Sequence, residues 1–363
     1  MSEWHARLLS GAVLGLMLSL MSALQYRRER RQMKNLGGRI YGSPIGSWML
    51  YLPLAMPVYF LLRLGTPWIS YASLWAEFLT IILTSSVYFM LLLFLTPLLR
   101  RYVRSFTCAM LWAMPNLLFL VRSLYHSPEL SRAVPIPERT LRLLFWIWLG
   151  GFLPILLEKV TEHFLFRRRL VKSAAAVAEE DILALWAEEC EAVGNTVYDL
   201  YRTPLLSTPL SLGFFESTTV VFLPERSYSE AELRMIFRHE LIHIQRWDSV
   251  LKFFLVFSTA MCWFNPLLWL AMRLCAEDIE LGCDEAVVQH MDGAGRLDYA
   301  ELLLRTAGDG RGFTSCLSAS ARSLRCRMRC VMNPVRKWDG CLLLALTTFL
   351  LVVSYGLLSF VPG

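Results

Sequence analysis

Long apolar runs set the first limit on how this chain folds. Ala6–Gln25, Gly46–Leu64, Ser73–Leu99, Phe106–Val121 and Leu141–Leu157 carry almost no charge, and a sixth run extends from Trp338 to Phe360. A helix that crosses a bilayer needs about 20 such residues. Basic clusters follow three of the runs: Arg27–Lys34, Arg100–Arg104 and Arg167–Lys172. Cationic flanks stay in the cytoplasm, so the clusters set the direction of each run. The first run has its dense basic cluster behind it and no clear small-residue cleavage site. It therefore reads as a retained span with the N-terminus outside. Phe106–Val121 is the weakest of the set, short and interrupted by Pro115 and Asn116. An interfacial helix is its alternative, but removing it breaks the alternation of basic flanks. The polar stretch Arg122–Arg139 then falls in an outer loop.

Composition agrees. The chain is 55% hydrophobic over 363 residues, with a mean hydropathy of +0.44, which a soluble protein of this length rarely reaches. The net charge of +6 would suit nucleic acid, yet the cations sit beside the apolar runs. A lipid bilayer is the expected partner, and no direct nucleic acid contact is expected. Nine cysteines form no paired framework. Cys326 and Cys330, four apart, read as bystanders, since a second metal site would need more ligands nearby.

The expected architecture is a polytopic α-helical membrane protein with an inserted cytoplasmic α+β domain. Residues 1–172 hold about five spans, 173–335 form the globular part, and 336–363 supply a last span. Within the globular part, Glu179–Ala192 has an amphipathic helical pattern. Ser217–Leu223 is β-branched and ends at Pro224, as a strand would. Ser229 and Glu232 make an S-x-x-E capping box, which opens a helix. That helix carries His239-Glu240-Leu241-Ile242-His243.

The HExxH spacing puts two imidazoles one turn apart on one helix face, where both can bind a single cation. Neutral imidazole suits Zn2+, and an open position makes such a site catalytic. Glu240 is placed to take a proton from water and hand it to a leaving amine. The pentapeptide alone also occurs in unrelated helices. A second acidic pair, Glu280 and Asp284, lies four apart downstream. Glu280 is expected as the third metal ligand, with Glu277 its nearest rival. Asp284 is expected to accept the outer N–H of a ligand imidazole, His239 in the first place. The competing reading is a solvated acidic helix over Glu277–Glu285. Leu251–Met272 is long enough to span, but a span there would separate Glu280 from the histidines. The break at Phe264-Asn265-Pro266 favours a non-spanning, membrane-associated hairpin over 251–272. The basic stretch Ser323–Lys337 reads as a cytoplasmic flank that contacts anionic lipid.

Taken in order, TPLSLGFFESTTVVFLP, HELIHIQRWD, WFNPLLWLAMRLCAEDIELGCDEAVV and YAELLL resemble the BlaR/MecR-type membrane metallopeptidases. These are the antirepressor transducers of beta-lactam resistance. The match covers roughly Pro204 to Leu304. The resemblance implies a zinc gluzincin site facing the cytoplasm, with His239, His243 and Glu280 as ligands, Glu240 as catalytic base and Asp284 behind a ligand. It implies signal-triggered cleavage of the chain itself, of a cytosolic transcriptional repressor, or of both, and a homodimer. Well-known members carry a penicillin-binding sensor domain after the last span. No S-x-x-K motif stands in an exportable segment here, so beta-lactam sensing is not expected of this sequence. Two other functions compete: a constitutive quality-control or processing metalloprotease of the membrane, and a catalytically silent receptor or scaffold. Tyr299, Arg273 and His290 are candidates for stabilising the oxyanion, and Gly308–Ser320 is a candidate self-cleavage loop.

Overall fold

A computed structural model describes residues 3–35, 55–63, 70–124, 132–194, 196–213, 216–306, 321–333, 335 and 337–363. Most of the second apolar run and the candidate self-cleavage loop fall outside the described residues. Helices dominate. The first half runs α1 (Glu3–Asn35), α2 (55–63), α3 (Tyr71–Tyr102), α4 (Ser105–Ala113), α5 (Leu117–Leu124), β1 (Arg132–Ile136) and α6 (Glu138–Ser173). The second runs β2 (Ala175–Ala176), α7 (Glu180–Ala192), β3 (Asp199–Thr203), β4 (Leu210–Leu212), β5 (Val220–Pro224), α8 (Glu230–Gln245), α9 (Asp248–Met261), α10 (Pro266–Val288), α11 (Gly293–Thr306), α12 (Ala321–Met332), α13 (Cys341–Ser354) and β6 (Leu358–Pro362).

Among the described residues, three helices are long and apolar enough to cross a membrane: Trp4–Leu24 within α1, α3 and α6. The fourth run is not one continuous helix. Pro115 sits in a one-turn 3-10 segment, Met114–Asn116, which divides the run into α4 and α5. Every residue of α4 is buried within the protein, so it packs among helices rather than facing lipid. The last run is helical over only part of its length. Its helix is 14 residues long, about 21 Å, against the ~30 Å of a hydrocarbon core. Gly356, at φ 73°, then turns the chain into β6, which pairs in parallel with β1. That pairing gives the stretch read as an outer loop a strand of its own. α13 lies along α1, where Gly15 lets the helices close: a Cβ there would stand 2.6 Å from the Ala345 carbonyl oxygen. Small residues at helix contacts are how membrane helices approach one another.

The four-stranded sheet has the order β2-β3-β5-β4, with β3 and β5 parallel and β4 antiparallel to β5 at one edge. The strand expected at Ser217–Leu223 begins later, because Glu216–Thr218 forms a 3-10 turn. α7 and α8 pack beside the sheet through Trp186 and Phe237, whose ring centroids are 4.8 Å apart. Burying a large apolar side chain of this kind contributes about 1.5–3 kcal/mol.

The apolar interior has two centres, and α10 belongs to both. Leu268–Ile279 pack with α3, α4 and α6, while Cys283, Val287 and Val288 pack with α7, α8 and the sheet. The break at Asn265 is real: its side chain caps α10 by accepting from the Leu267 and Leu268 amides, with Pro266 in the first turn. α9 and α10 fold back on each other there. α10, however, does not end near Met272 but runs on through Glu280 and Asp284. A buried ion pair pins it to α3. Asp278 accepts from Arg100 Nε at 2.7 Å and from Trp112 Nε1 at 2.8 Å. Removing one partner of a buried pair strands the other charge. Arg100→Met should therefore lower stability in detergent by about 3–5 kcal/mol, and adding Asp278→Asn should recover much of it. Denaturant unfolding of the three proteins checks this; an unchanged Arg100→Met midpoint would refute the anchor.

Candidate metal centre

The capping box starts α8 as its sequence demands. Ser229 Oγ accepts from the Glu232 amide, and the Glu232 carboxylate accepts from the Ser229 amide at 2.8 Å. Leu233, Ile236, Phe237 and Leu241 bury one face, which turns His239 and His243 toward α10. Their Nε2 atoms are 3.1 Å apart. Glu280 Oε2 lies 3.7 Å from His239 Nε2 and 3.6 Å from His243 Nε2. A tetrahedral zinc about 2.0–2.1 Å from each donor spaces its donors about 3.3 Å apart. The triangle fits a cation of that size, and two imidazoles with one carboxylate suit zinc.

Around the triangle, four acidic side chains are buried: Glu240, Asp248, Glu280 and Asp284. Two cations answer them. Lys252 Nζ donates to Glu280 Oε1 at 2.7 Å. Arg327 holds Asp284 in a two-pronged grip, Nε to Oδ2 at 2.6 Å and a second nitrogen to Oδ1 at 2.8 Å. Its third nitrogen lies 3.4 Å from Glu280 Oε2. Burial alone would raise the Glu280 pKa, but Lys252 and His243 outweigh it and hold the carboxyl well below its ordinary range. Glu280 is thus ionised at neutral pH.

Each imidazole is steadied from behind. His243 Nδ1 donates to Asp248 Oδ2 at 2.7 Å. On an unbroken helix a residue five positions on would sit about 140° round the axis, out of reach. Trp247, at φ 56°, reverses the chain between α8 and α9 and brings Asp248 back. Behind His239 stands Tyr299, whose hydroxyl is 3.0 Å from Nδ1 and donates to Asp284 Oδ1 at 2.8 Å. The direct Asp284–His239 approach is 3.6 Å. Asp284 therefore reaches His239 through the tyrosine rather than by the direct bond expected. Burial and the Asp284 carboxylate push the Tyr299 phenol well above its ordinary value, so it keeps its proton.

The expected residues mostly converge. Glu240 is buried and has no partner among the described residues. The solvated-acidic-helix alternative fails, because Glu277, Asp278, Glu280 and Asp284 are all buried. Glu277 is no rival ligand: its carboxylate is taken up by Arg100 and Arg273. Arg273 is thereby taken, and His290 is exposed. Asp248, Lys252 and Arg327 escaped the reading of the sequence. A lone lysine in the apolar stretch LKFFLVF was the signal for Lys252. Arg327 was hidden in a basic run that read as a membrane flank.

Asp248 holds His243 through Nδ1, the ring nitrogen that does not face the triangle. Residues in that position are worth about 10–100-fold in affinity. Asp248→Ala should weaken zinc binding by that factor, measured by competition with a chromogenic chelator, while far-ultraviolet dichroism stays unchanged.

The chain is 26% identical over 179 residues to the "Regulatory protein BlaR1" of Bacillus licheniformis, which is 48% of this chain and 29% of that protein. It is 25% identical over 101 residues to the "Methicillin resistance mecR1 protein" of Staphylococcus aureus, 28% of this chain and 17% of that one. The same figures hold for the protein of that name from Staphylococcus epidermidis. The chain thus spans less than a third of the length of these relatives. The family described as BlaR1 peptidase M56 matches residues 129–331, which take in every residue of the centre, and the chain belongs to that family.

Proposed function

We propose that the chain is a membrane-embedded zinc endopeptidase of a signalling type, with its site on the cytoplasmic side. The observation that carries the chemistry is the triangle of His239, His243 and Glu280 with the buried Glu240 on the same helix as the two histidines, without a partner among the described residues. Zinc held there would polarise a scissile carbonyl and acidify the attacking water. Glu240 Oε accepts the proton from that water and returns it to the leaving amine. Asp248 and Tyr299 hold the imidazoles in the tautomer that presents Nε2. Lys252 and Arg327 keep Glu280 ionised and fixed. The edge strand β4 can take up an extended substrate backbone by strand addition.

The membrane reading rests on the three long apolar helices and on where their basic ends meet. Tyr26, near the end of α1's apolar run, bonds Thr107. Val103, after α3, bridges to Trp338. Ser173, at the end of α6, bonds Thr203 of the peptidase sheet. These contacts tie the C-terminal ends of the three helices, beside which the basic residues lie in the sequence, to later parts of the chain; this supports a cytoplasmic site, since cationic flanks stay in the cytoplasm. The relatives' names, regulatory and resistance proteins, support a role in signal transduction. The substrate class that follows is protein: the chain itself or a cytosolic repressor.

Glu240→Gln should keep stoichiometric zinc and lose about 100–10,000-fold in the rate of cutting itself or unstructured peptides. Equal cleavage by the variant, or none by zinc-loaded wild type, would sink the reading. Chelation should abolish cleavage by the wild type, and added zinc should restore it; fragment yield on gels reads both.

A further inference from the structure

A cavity of about 1530 Å³ opens on the other face of α10 from the metal triangle, between the inner end of α3, α10 and α12. Small-molecule pockets run to roughly 300–1,000 Å³, so this one is large. Its lining changes character along its length. At one end are Leu93, Pro97, Leu270 and Leu274, of which Leu93 and Pro97 belong to the apolar length of α3. At the other end are cations. Eight Lys and Arg side chains line the cavity against three acids. The acids are already matched: Glu277 with Arg100, Asp339 with Arg104 and Glu285 with Lys337. Arg101, Arg296, Arg325 and Arg329 have no ion pair among the described residues. The Nε of Arg296 is buried with no hydrogen-bond partner among them. Trp338, 75% exposed, stands at the rim, as aromatic side chains do at a membrane surface.

We propose that this cavity binds an anionic phospholipid of the inner leaflet, its phosphate among Arg101, Arg325 and Arg329 and its acyl chains along Leu93, Leu270 and Leu274. A soluble anion has no use for the apolar end. A zwitterionic lipid leaves the surplus of positive charge unmatched. α12 makes the site more than a surface patch. Residues i and i+4 share a helix face, and i+2 points away from both. Arg325 and Arg329 therefore face the cavity while Arg327, between them, grips Asp284. A headgroup held by the outer pair would steady the helix that carries the inner clamp.

This inference rests on the membrane placement proposed above and not on the peptidase chemistry. The test uses the full chain, purified in a neutral detergent and stripped of lipid. Short-chain phosphatidylglycerol, phosphatidylcholine and inorganic phosphate are titrated separately, with tryptophan fluorescence as the readout. Hydrogen exchange then locates the protection. Phosphatidylglycerol should bind saturably, at least tenfold more tightly than phosphatidylcholine, and slow exchange in α12 and the inner end of α3 but not in α7. Arg325→Gln/Arg329→Gln should weaken it tenfold or more, since each cation near an anionic surface counts for several-fold. Both side chains are exposed, and Arg101→Gln, on a separate helix, should act in the same direction. Equal binding of the two lipids overturns the proposal. So does saturation by phosphate alone, or full affinity in the folded double variant. Failure of the chain to co-float with liposomes would instead remove the membrane placement.

Discussion

The carboxylate of Glu280 is the constraint around which the rest of the centre is arranged. It is only 7% exposed, and an isolated buried charge costs several kcal/mol. A single counter-ion would not settle this, because its two oxygens face different neighbours. Oε1 is met by Lys252 from α9, and Oε2 faces both imidazoles of α8 and Arg327 of α12. Three helices other than its own must therefore be in place before Glu280 can be ionised inside the protein. Asp284, one turn on, extends the same demand to α11 through Tyr299. The metal centre and the packing of the second half are for this reason a single problem.

α10 carries that problem into the apolar bundle. Its first half is packed among α3, α4 and α6, and its second half belongs to the peptidase core. The changeover falls at Ile279–Cys283, where Glu280 stands. Gly282 sits so close to α4 that a Cβ would be 3.3 Å from Phe106, and Asp278 is tied to α3 and α4 through Arg100 and Trp112. Interiors packed this densely transmit displacement rather than absorb it. A movement of the bundle relative to the sheet is thus applied to a metal-facing carboxylate with little slack between.

What the sequence made legible follows from the range of each interaction. The HExxH helix and its cap depend on residues three or four apart, so His239, Glu240, His243, Ser229 and Glu232 could be read directly. Glu280 and Asp284 could be read because they too share a helical spacing and because a carboxylate completes two imidazoles. Asp248 could not, since its reach depends on Trp247 adopting a left-handed backbone, which nothing local demands of a tryptophan. Lys252 and Arg327 act across 28 and 43 residues of chain respectively, and no periodicity records a contact of that kind. Hydropathy has a related limit: it marks α4 as apolar, but it does not separate burial in lipid from burial in protein.

The turn at Phe264-Asn265-Pro266 shows how a local break sets a long-range geometry. α9 has 14 residues and carries the chain about 21 Å away from Asp248. Glu280 lies 14 residues past Pro266, so α10 returns the chain about 21 Å. The two limbs match, and Glu280 arrives level with the helix end it left, within reach of His243 and Lys252. Without the break, a helix continuing from Asp248 would place Glu280 roughly 48 Å along its axis, beyond any shared cation. Asn265 closes the first amides of the returning helix, and Pro266 supplies a residue that needs no amide partner in the first turn. Shortening either limb by two residues would rotate Glu280 by about 200° as well as shift it by about 3 Å. The length of the apolar hairpin is therefore as much a part of the metal centre as the ligands themselves.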